Sequence, residues 1–261
     1  MVTVPPAGWA AEAADWERAL RRVGSAARAA TEKAYLKSDL EFAGAGIPAI
    51  RAMVARWSKT RAALQHDQLT GLVTALWANP LYECRAVAVV LLERTSRQLG
   101  PADIDLLENL LRTSRTWALV DGLAVNVVGD IVGRWPEASD ALDRWACDRD
   151  FWLRRSAILA LLRPLRAGGG DFERFGRYAD SMLDEKEFFV RKAIGWVLRE
   201  VAKRRPEVVA TWLAPRVHRA SGITVREAVK PLPEHVRAVL LAGYRDKRPV
   251  RCDHEGKIIT G

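Results

Sequence analysis

The apolar residues of this chain recur at spacings of three and four residues over almost its whole length. This period places them on one face of a helix, whereas a half-buried strand would alternate at every second residue. No strand-like alternation of any length is present in the sequence. The pattern therefore predicts an all-α fold, which begins with helical runs near residues 9–23, 25–38 and 46–58.

The helical runs after residue 60 repeat along the chain. Pro101, Pro136, Asp171 and Pro206 follow one another at intervals of 35 residues, and each opens a helix-like run; the same step back from Pro101 reaches His66. Proline suits the first turn of a helix, and aspartate caps its start. A second helical run follows each first one, so one period is a helix pair of the kind that stacks into an α-solenoid.

The repeat predicts the organisation of the whole chain. We expect one repeat domain over residues 1–243, with the N-terminal helices at 9–58 and the repeats at about 66–230. The remaining residues, 244–261, are rich in polar side chains and are expected to form a flexible tail. The stacked helix pairs are expected to be antiparallel.

The second helices carry charged residues at related positions, 19 or 20 residues after each repeat start. These residues are Arg85, Asp121, Arg155, Arg191 and Arg226. Because equivalent positions line up across one face of a stack, four arginines and one aspartate are expected to share the concave surface. Asp121 is then the exception in a cationic series.

Composition supports a nucleic-acid partner. The chain has 261 residues, 49% of them hydrophobic, and a formal net charge of +9, which favours a polyanion. One stripe of helical spacing combines three cations with an indole: Lys192, Trp196, Arg199 and Lys203. Arg226 and Lys230 repeat the four-residue step. The alternative is that these cations are ordinary solvated faces of an arginine-rich protein.

Other classes of function are disfavoured by the sequence. The three cysteines, Cys84, Cys147 and Cys252, are too scattered for a disulfide framework, and the four histidines have no metal-ligand spacing. No apolar run reaches membrane-spanning length, and the start lacks the order of a signal peptide. We expect a monomeric, cytoplasmic protein, associated with the nucleoid when it binds DNA, without metal or cofactor.

Trp117 and Asp121 are the first candidates for chemistry. They are four residues apart on a predicted helix, so the indole and the carboxylate point the same way. Taken singly, a tryptophan at helical spacing is more often core, and a lone aspartate is more often a solvated or ion-paired group. Their coincidence on an otherwise basic face favours a functional role.

Several segments resemble the AlkD-type alkylpurine DNA glycosylases, which are built from HEAT-like repeats. The segments are TWALVDGL, FWLRRSAIL, EKEFFVRKAIGWVLREVAKRRPEVV and REAVK, with further similarity in YLKSDLEFAGAGIP and LWANPLYECRAVA. The resemblance extends from about residue 30 to 230. It implies a HEAT-like α-solenoid with a concave basic groove.

The resemblance also implies roles for single residues. Asp121 corresponds to the catalytic aspartate and Trp117 to the tryptophan that precedes it, while Trp196 corresponds to a second active-site tryptophan. Arg155 corresponds to a phosphate-binding arginine, and Tyr35 is expected near the DNA by a looser match. The full expected DNA-binding set is Tyr35, Arg154, Arg155, Arg191, Lys192, Arg199, Lys203, Arg226 and Lys230. Thr116 departs from the family, in which an aromatic residue tends to precede the tryptophan.

The function implied is hydrolysis of the N-glycosidic bond of cationic N3- or N7-alkylpurines. The expected partner is double-stranded DNA that contains alkylated purines, including bulky adducts, bound without a tight base-flipping pocket. A non-catalytic HEAT-like DNA-binding or scaffold protein is the alternative. A protein-interaction solenoid indifferent to nucleic acid is a third possibility.

Overall fold

The computed structural model describes residues 7–60, 62–253 and 258. Every regular element among them is helical, and the only extended pairings in these residues are isolated bridges between Glu41 and Leu81 and between Cys252 and Ile258. The chain forms two compact units, unit 1 (residues 1–131) and unit 2 (residues 132–261). The single repeat domain expected over residues 1–243 stays a prediction.

Unit 1 contains the N-terminal helices and the first repeats. Its α-helices are α1 (Ala7–Val23), α2 (Ala26–Leu36), α3 (Ile47–Lys59), α4 (His66–Ala78), α5 (Tyr82–Arg94), α6 (Ile104–Arg112) and α7 (Trp117–Gly122). Short 3₁₀ turns at Ser96–Gln98 and Pro101–Asp103 precede α6. After α7 the backbone continues as a π-helix, Leu123–Val128, into α8 (Gly129–Arg134), which contains the boundary between the units.

Unit 2 contains the remaining repeats. Its α-helices are α9 (Ser139–Ala146), α10 (Phe151–Leu159), α11 (Leu162–Arg166), α12 (Phe172–Ser181), α13 (Phe188–Ala202), α14 (Pro206–Leu213), α15 (Gly222–Ala228) and α16 (Glu234–Asp246). Further 3₁₀ turns lie at Pro136–Ala138 and Ala214–Arg216.

Prolines and aspartates begin these helices as the sequence predicts. Pro101 and Pro136 open the 3₁₀ turns that lead into α6 and α9, and Pro206 is the first residue of α14. The carboxylate of Asp171 accepts a hydrogen bond from the backbone N–H of Arg174 at 2.8 Å, which caps the start of α12. The predicted positions of the first helices are therefore confirmed.

Within each unit, successive second helices pack on one another. In unit 1, α5 packs against α3, α4 and α7, and in unit 2, α13 packs against α10 and α15. The faces that meet are apolar and fully buried, as at Leu76, Val87 and Leu123 in unit 1 and at Leu153 and Val197 in unit 2. This burial of apolar surface is the main stabilising contribution to each stack.

Three features differ from the sequence pattern. The run expected to be continuous over 151–165 divides into α10 and α11, because Pro164 has no N–H to donate to the carbonyl of Ala160. The π-helix at Leu123–Val128 has no signal in the spacing of apolar residues.

The third difference concerns the C-terminal segment. Helix α16 continues to Asp246, three residues into the segment predicted to be a tail, and the N–H of Val250 donates to the carbonyl of Ala214 at 2.9 Å. The backbone is thus ordered beyond the predicted boundary because it finds a hydrogen-bond acceptor in unit 2. The rest of the tail, at residues 254–257 and 259–261, lies outside the described residues, as do residues 1–6 and 61 of the predicted domain.

Candidate active site

Two of the predicted site residues, Tyr35 and Trp117, are in contact in unit 1. Tyr35 lies at the end of α2, Trp117 is the first residue of α7, and their ring centroids are 5.5 Å apart at an interplanar angle of 82°. This edge-to-face arrangement is a favoured geometry of aromatic pairs. Tyr35 is 68% exposed and Trp117 is partly buried, so the pair presents an aromatic surface to solvent.

The segments that carry this aromatic pair are tied together by polar contacts. The buried Thr116 hydroxyl donates to the carbonyl of Leu36 at 3.4 Å, and the Arg115 guanidinium donates to the Asp39 carboxylate at 2.8 Å. Thr116, the residue that departs from the family pattern, therefore packs against the end of α2. Arg115 and Asp39 were not candidates from the sequence, because their 76-residue separation gives no periodic signal.

The backbone around the same pair adopts an uncommon conformation at two positions. Lys37, directly after α2, has φ +48°, and Arg115, two residues before Trp117, has φ +57°. Non-glycine residues in this left-handed region cost free energy and persist where the surrounding contacts impose them. The orientation of the aromatic pair is thus set by two strained turns as well as by the Thr116 and Arg115 contacts.

Asp121 lies one helical turn after Trp117 and is partly exposed. Its neighbour Gly122 faces α5, where an added Cβ would lie only 2.7 Å from Cγ1 of Val89. Glycine at this position is what allows α7 to approach α5 so closely. The Trp117–Asp121 spacing and the close packing of α7 place the carboxylate on the same helix face as the indole.

A polar contact also fixes the π-helix that follows Asp121. The Asn126 side-chain amide donates to the Glu93 carboxylate at 2.8 Å, and Arg51 donates to the same carboxylate at 2.7 Å. Glu93 lies on α5 and Arg51 on α3, so the helix that carries Asp121 is joined to the two helices beside it. π-Helical turns within α-helices are frequent at functional sites.

Trp196 is carried by α13 in unit 2 and is partly exposed. An added Cβ on the preceding Gly195 would lie 2.9 Å from Cβ of Glu227 and 3.1 Å from Cα of Thr224. Gly195 therefore permits the close packing of α13 on α15. In both units, a candidate site residue sits next to a glycine at a tight helix contact.

The arginines of the second helices fall into two registers that the sequence repeat did not separate. Arg85, Arg154 and Arg191 are each the fourth residue of their helix, and each donates to the carbonyl six residues earlier, which belongs to Asn79, Asp148 and Glu185 respectively. These arginines bind the preceding loop to the helix. Asp121, Arg155, Lys192 and Arg226 are instead the fifth residue of theirs.

The prediction that four arginines and Asp121 share one surface is wrong for Arg85 and Arg155, because both side chains are buried. The second helices do not begin at one fixed distance from the repeat starts: α10 begins 15 residues after Pro136, and α13 begins 17 residues after Asp171. One residue turns a side chain by about 100° around a helix. Arg85, in the fourth register, is only 8% exposed and also donates to the carbonyl of Thr113 at 2.7 Å. Its burial, followed by the charge of Arg115, lowers the pKa of Arg85.

Arg155 has the register of Asp121 but is buried, with 3% exposure. Its guanidinium donates to the carbonyl of Phe189, which lies on α13. The contact joins two successive second helices of unit 2. The assignment of Arg155 to phosphate binding stays a prediction, and burial makes that role costly because a bound phosphate would compete with a buried carbonyl.

Most of the other predicted DNA-binding cations have carboxylate partners. Arg154 pairs with Glu185 at 2.6 Å, Lys203 with the buried Glu200 at 2.8 Å, and Arg199 and Lys230 with Glu227. Burial raises the pKa of Glu227, but its contacts with Lys230 and Arg199 lower the pKa by a larger amount. The net shift is therefore downward.

Lys192 and Arg226 differ from these residues. Both are exposed, and neither forms an ion pair with any residue that the structure describes. The ammonium of Lys192 lies 5.7 Å from the ring centroid of Phe188. A basic groove stays a prediction, and within the expected set Lys192 and Arg226 are the cations most available to a phosphate.

Neither a metal-ligand cluster nor a membrane-spanning helix is found among the described residues. Residues 7–60, 62–253 and 258 contain no group of three or more His, Cys, Asp and Glu side chains suited to a metal ion. None of the helices formed by these residues is long and apolar enough to cross a membrane.

Comparison with known proteins identifies the family. The sequence model of the DNA alkylation repair enzymes matches residues 16–232. A solved structure from Enterococcus faecalis, described as a predicted DNA alkylation repair enzyme, has a TM-score of 0.73 at 22% identity and covers 81% of this chain and 97% of its own. AlkD2 from Streptococcus mutans has a TM-score of 0.56 at 17% identity, with 72% and 90% covered.

A further solved structure, smu.31 from Streptococcus mutans UA159, has a TM-score of 0.56 at 17% identity and covers 72% of this chain and 93% of its own. At these identities the structural likeness concerns the fold, and it confirms the predicted all-α helical-repeat architecture. No curated protein sequence matches the chain significantly. Because the family's sequence model spans most of the chain, this protein belongs to the family of DNA alkylation repair enzymes.

Proposed function

We propose that the protein is a DNA glycosylase that hydrolyses the N-glycosidic bond of cationic N3- and N7-alkylpurines in duplex DNA. One observation carries the proposal: a partly exposed carboxylate, Asp121, lies one helical turn from Trp117, which is packed against the exposed Tyr35. Membership of a DNA alkylation repair family supplies the substrate class.

The chemistry of this substrate requires little from the protein. An alkylated purine that carries positive charge is already a good leaving group, so no general acid is needed to protonate the base. As the bond between C1′ and the purine nitrogen breaks, the electron pair leaves with the base and positive charge develops on the deoxyribose. Water then adds to C1′ and loses a proton. The paired carboxylates of most glycoside hydrolases are therefore not required.

Asp121 would stabilise the developing positive charge and orient the attacking water. A carboxylate fixed before the reaction stabilises such a charge without a cost of reorganisation. In this protein Gly122 and the Asn126 contact fix the helix that carries Asp121. The aromatic faces of Tyr35 and Trp117 would add cation–π attraction for the cationic base or sugar. The family resemblance assigns Trp196 to the same reaction.

Binding of the duplex would use cations that are not already paired. Lys192 and Arg226 meet this condition, and their contacts with phosphates would position the DNA without reading its sequence. Because Tyr35 and Trp117 lie on an open surface rather than in a closed pocket, bulky adducts are acceptable substrates in this proposal.

The experiment is release of 7-methylguanine and 3-methyladenine from alkylated duplex DNA by the wild type and by Asp121→Asn. We expect Asp121→Asn to lower the rate by about 100-fold or more, since loss of one preorganised electrostatic group has that effect. DNA affinity should be retained. Asp105→Asn is the matched control, because Asp105 is an exposed carboxylate of unit 1 on α6 and should leave the rate unchanged.

Equal base release by Asp121→Asn and the wild type would overturn the proposal. The same assay separates the other readings of the sequence. A non-catalytic DNA-binding protein would release no base from any lesion while it binds duplex DNA in a salt-sensitive manner. A protein-interaction solenoid would show no preference for duplex DNA at moderate salt.

A further inference from the structure

A cluster of polar and cationic side chains lies in unit 2, where α16 packs on α15. Helix α16 (Glu234–Asp246) begins after residue 232, at which the match to the family's sequence model ends. The predicted DNA-binding set includes Arg226 of α15 but no residue of α16. The cluster therefore extends into a part of the chain that has no assigned role.

Gly222, the first residue of α15, lies beside two members of the cluster. An added Cβ on Gly222 would lie 2.6 Å from the hydroxyl oxygen of Tyr244 and 2.9 Å from Nη1 of Arg226. Neither of these side chains forms a hydrogen bond or an ion pair with any residue that the structure describes. The hydroxyl and the guanidinium are thus donors beside the same glycine, close enough for one phosphate to accept from both.

Lys247 adds a second cation to the cluster. Its Nζ lies 4.6 Å from the ring centroid of Tyr244, and its backbone, directly after α16, has φ +55°. A non-glycine residue keeps this left-handed conformation where the surrounding contacts impose it. One such contact is the hydrogen bond from the N–H of Val250 to the carbonyl of Ala214 at 2.9 Å, which holds the chain after α16 against unit 2. The turn therefore keeps Lys247 beside Tyr244.

The charges of this region favour an anionic partner. Residues 244–251, YRDKRPVR, contain four cations and one carboxylate. That carboxylate, Asp246, is two residues after Tyr244 and lies about 200° away around the helix. On α15, the carboxylate next to Arg226 is Glu227, which already pairs with two other cations. Two cations and a hydroxyl donor that lack carboxylate partners suit one phosphate group.

We propose that Arg226, Tyr244 and Lys247 bind one phosphate of the DNA duplex backbone. The Tyr244 hydroxyl donates to a phosphate oxygen, and the two cations neutralise its charge. Because α13 packs on α15 and α15 on α16, this contact adds to the one expected from Lys192 of α13. Such a contact positions the duplex without reading its sequence. The inference rests on duplex DNA as the proposed substrate but not on hydrolysis by Asp121.

The test is fluorescence anisotropy of a labelled, undamaged DNA duplex between low and moderate salt. Tyr244→Phe should weaken binding at least about threefold, because one hydrogen bond to a charged group is lost. It should leave the slope of log affinity against log salt unchanged, since the hydroxyl is neutral. Lys247→Gln should also weaken binding at least about threefold, and it should reduce that slope by up to about 0.9, the value for one neutralised phosphate.

Arg144→Gln is the matched control for the loss of one cation, because Arg144 is exposed on α9 of the same unit and lies outside the cluster. Thermal melting establishes that each variant is folded. Wild-type affinity in Tyr244→Phe or in Lys247→Gln would overturn the proposal. An equal loss in Arg144→Gln would also overturn it, because the effect would then be one of net charge.

Base release separates this test from that of the proposed catalytic carboxylate. At saturating enzyme, Tyr244→Phe and Lys247→Gln should release alkylated base at the wild-type rate, whereas Asp121→Asn lowers that rate and retains DNA affinity. A lower rate at saturation in the two α16 variants would show that they disturb the reaction rather than a backbone contact, and would contradict the proposal.

Discussion

The two units of the molecule differ in charge and in what they contribute. Residues 1–131 contain 15 Lys and Arg against 14 Asp and Glu, whereas residues 132–261 contain 26 against 18. The nearly neutral unit 1 carries Tyr35, Trp117 and Asp121, and unit 2 carries almost all of the positive excess. The proposed catalytic carboxylate therefore belongs to the unit with the smaller positive excess.

The comparison also shows that positive charge in a sequence is not the same as charge available to DNA. In unit 2, Arg154, Arg155 and Arg191 donate to backbone carbonyls, and Arg199 and Lys230 pair with Glu227. Arginine suits such structural positions because its planar group has five donors. Part of the excess therefore stabilises the helix stack of unit 2 rather than forming a binding surface.

The largest effect is expected from replacement of Arg155, which tests whether the buried arginines of unit 2 have a structural role. Arg155→Ala should lower the free energy of unfolding by about 3 kcal/mol, because it removes the hydrogen bond to the Phe189 carbonyl and opens a cavity between α10 and α13. The exposed Arg226, in the same helix register, is the matched control. Arg226→Ala should change stability by less than about 0.5 kcal/mol but weaken DNA binding.

Urea denaturation and titration with duplex DNA, carried out on both variants, measure the two quantities. If Arg155→Ala keeps wild-type stability and loses DNA affinity, Arg155 is a phosphate contact, as the family resemblance implies, and its structural role is excluded. The division of the unit 2 cations into structural and DNA-binding groups would then fail at its most buried member.

The behaviour of the arginines shows where sequence reasoning succeeded and where it reached its limit. The positions of the first helices followed from Pro101, Pro136 and Pro206, because proline acts through local backbone geometry. The register of the second helices depends on the exact end of each loop. Arg154 and Arg155 are adjacent in the sequence, yet Arg154 donates to a loop carbonyl and Arg155 donates to a carbonyl of a neighbouring helix.

The candidate site shows the same division. The four-residue spacing of Trp117 and Asp121 is local and was readable from the sequence. The contact between Tyr35 and Trp117, and the Arg115–Asp39 pair that supports it, join segments about 80 residues apart through tertiary packing. The sequence pattern ends the repeats at about residue 230 and does not predict helix α16, which follows two prolines in PLPEH; only its last three residues lie in the segment predicted to be a tail.

A smaller effect is expected from Glu227, which neutralises two cations of unit 2. Glu227→Gln removes the charge that pairs with Arg199 and Lys230. Lys230 is then freed, whereas Arg199 keeps its 3.4 Å contact with the Glu200 carboxylate. Duplex binding should strengthen several-fold, and the dependence of log affinity on log salt should steepen by up to about 0.9. Measurement of duplex affinity between low and moderate salt checks both quantities.

Glu207→Gln controls for the loss of one negative charge, because Glu207 is exposed in the first turn of α14 and has no ion-pair partner among the residues described. If the two variants bind DNA with the same affinity and salt dependence, Lys230 does not face the duplex. The available positive charge of unit 2 would then be limited to residues such as Lys192 and Arg226.

The smallest predicted effect concerns a charge pair in unit 1. His66 begins α4, and its Nε2 lies 2.7 Å from the buried Asp103 carboxylate, with Asp67 at 3.3 Å from Nδ1. The hydrogen bonds to Asp103 and then to Asp67 raise the pKa of His66 above its ordinary value of 6.5. The protonated imidazole is thus favoured in the folded state. This contribution to stability is fully present below the unfolded-state pKa and is lost as the pH rises through the higher folded-state pKa.

His66→Gln should therefore lower the melting temperature more at about pH 5.5 than at about pH 8.5, relative to the wild type at each pH. His235→Gln, which replaces an exposed histidine at the start of α16, should show no such difference. An equal loss at both pH values would mean that His66 acts only through neutral hydrogen bonds. In that case the charge of His66 makes no measurable contribution to stability. The difference in net charge between the two units would then affect DNA binding rather than stability.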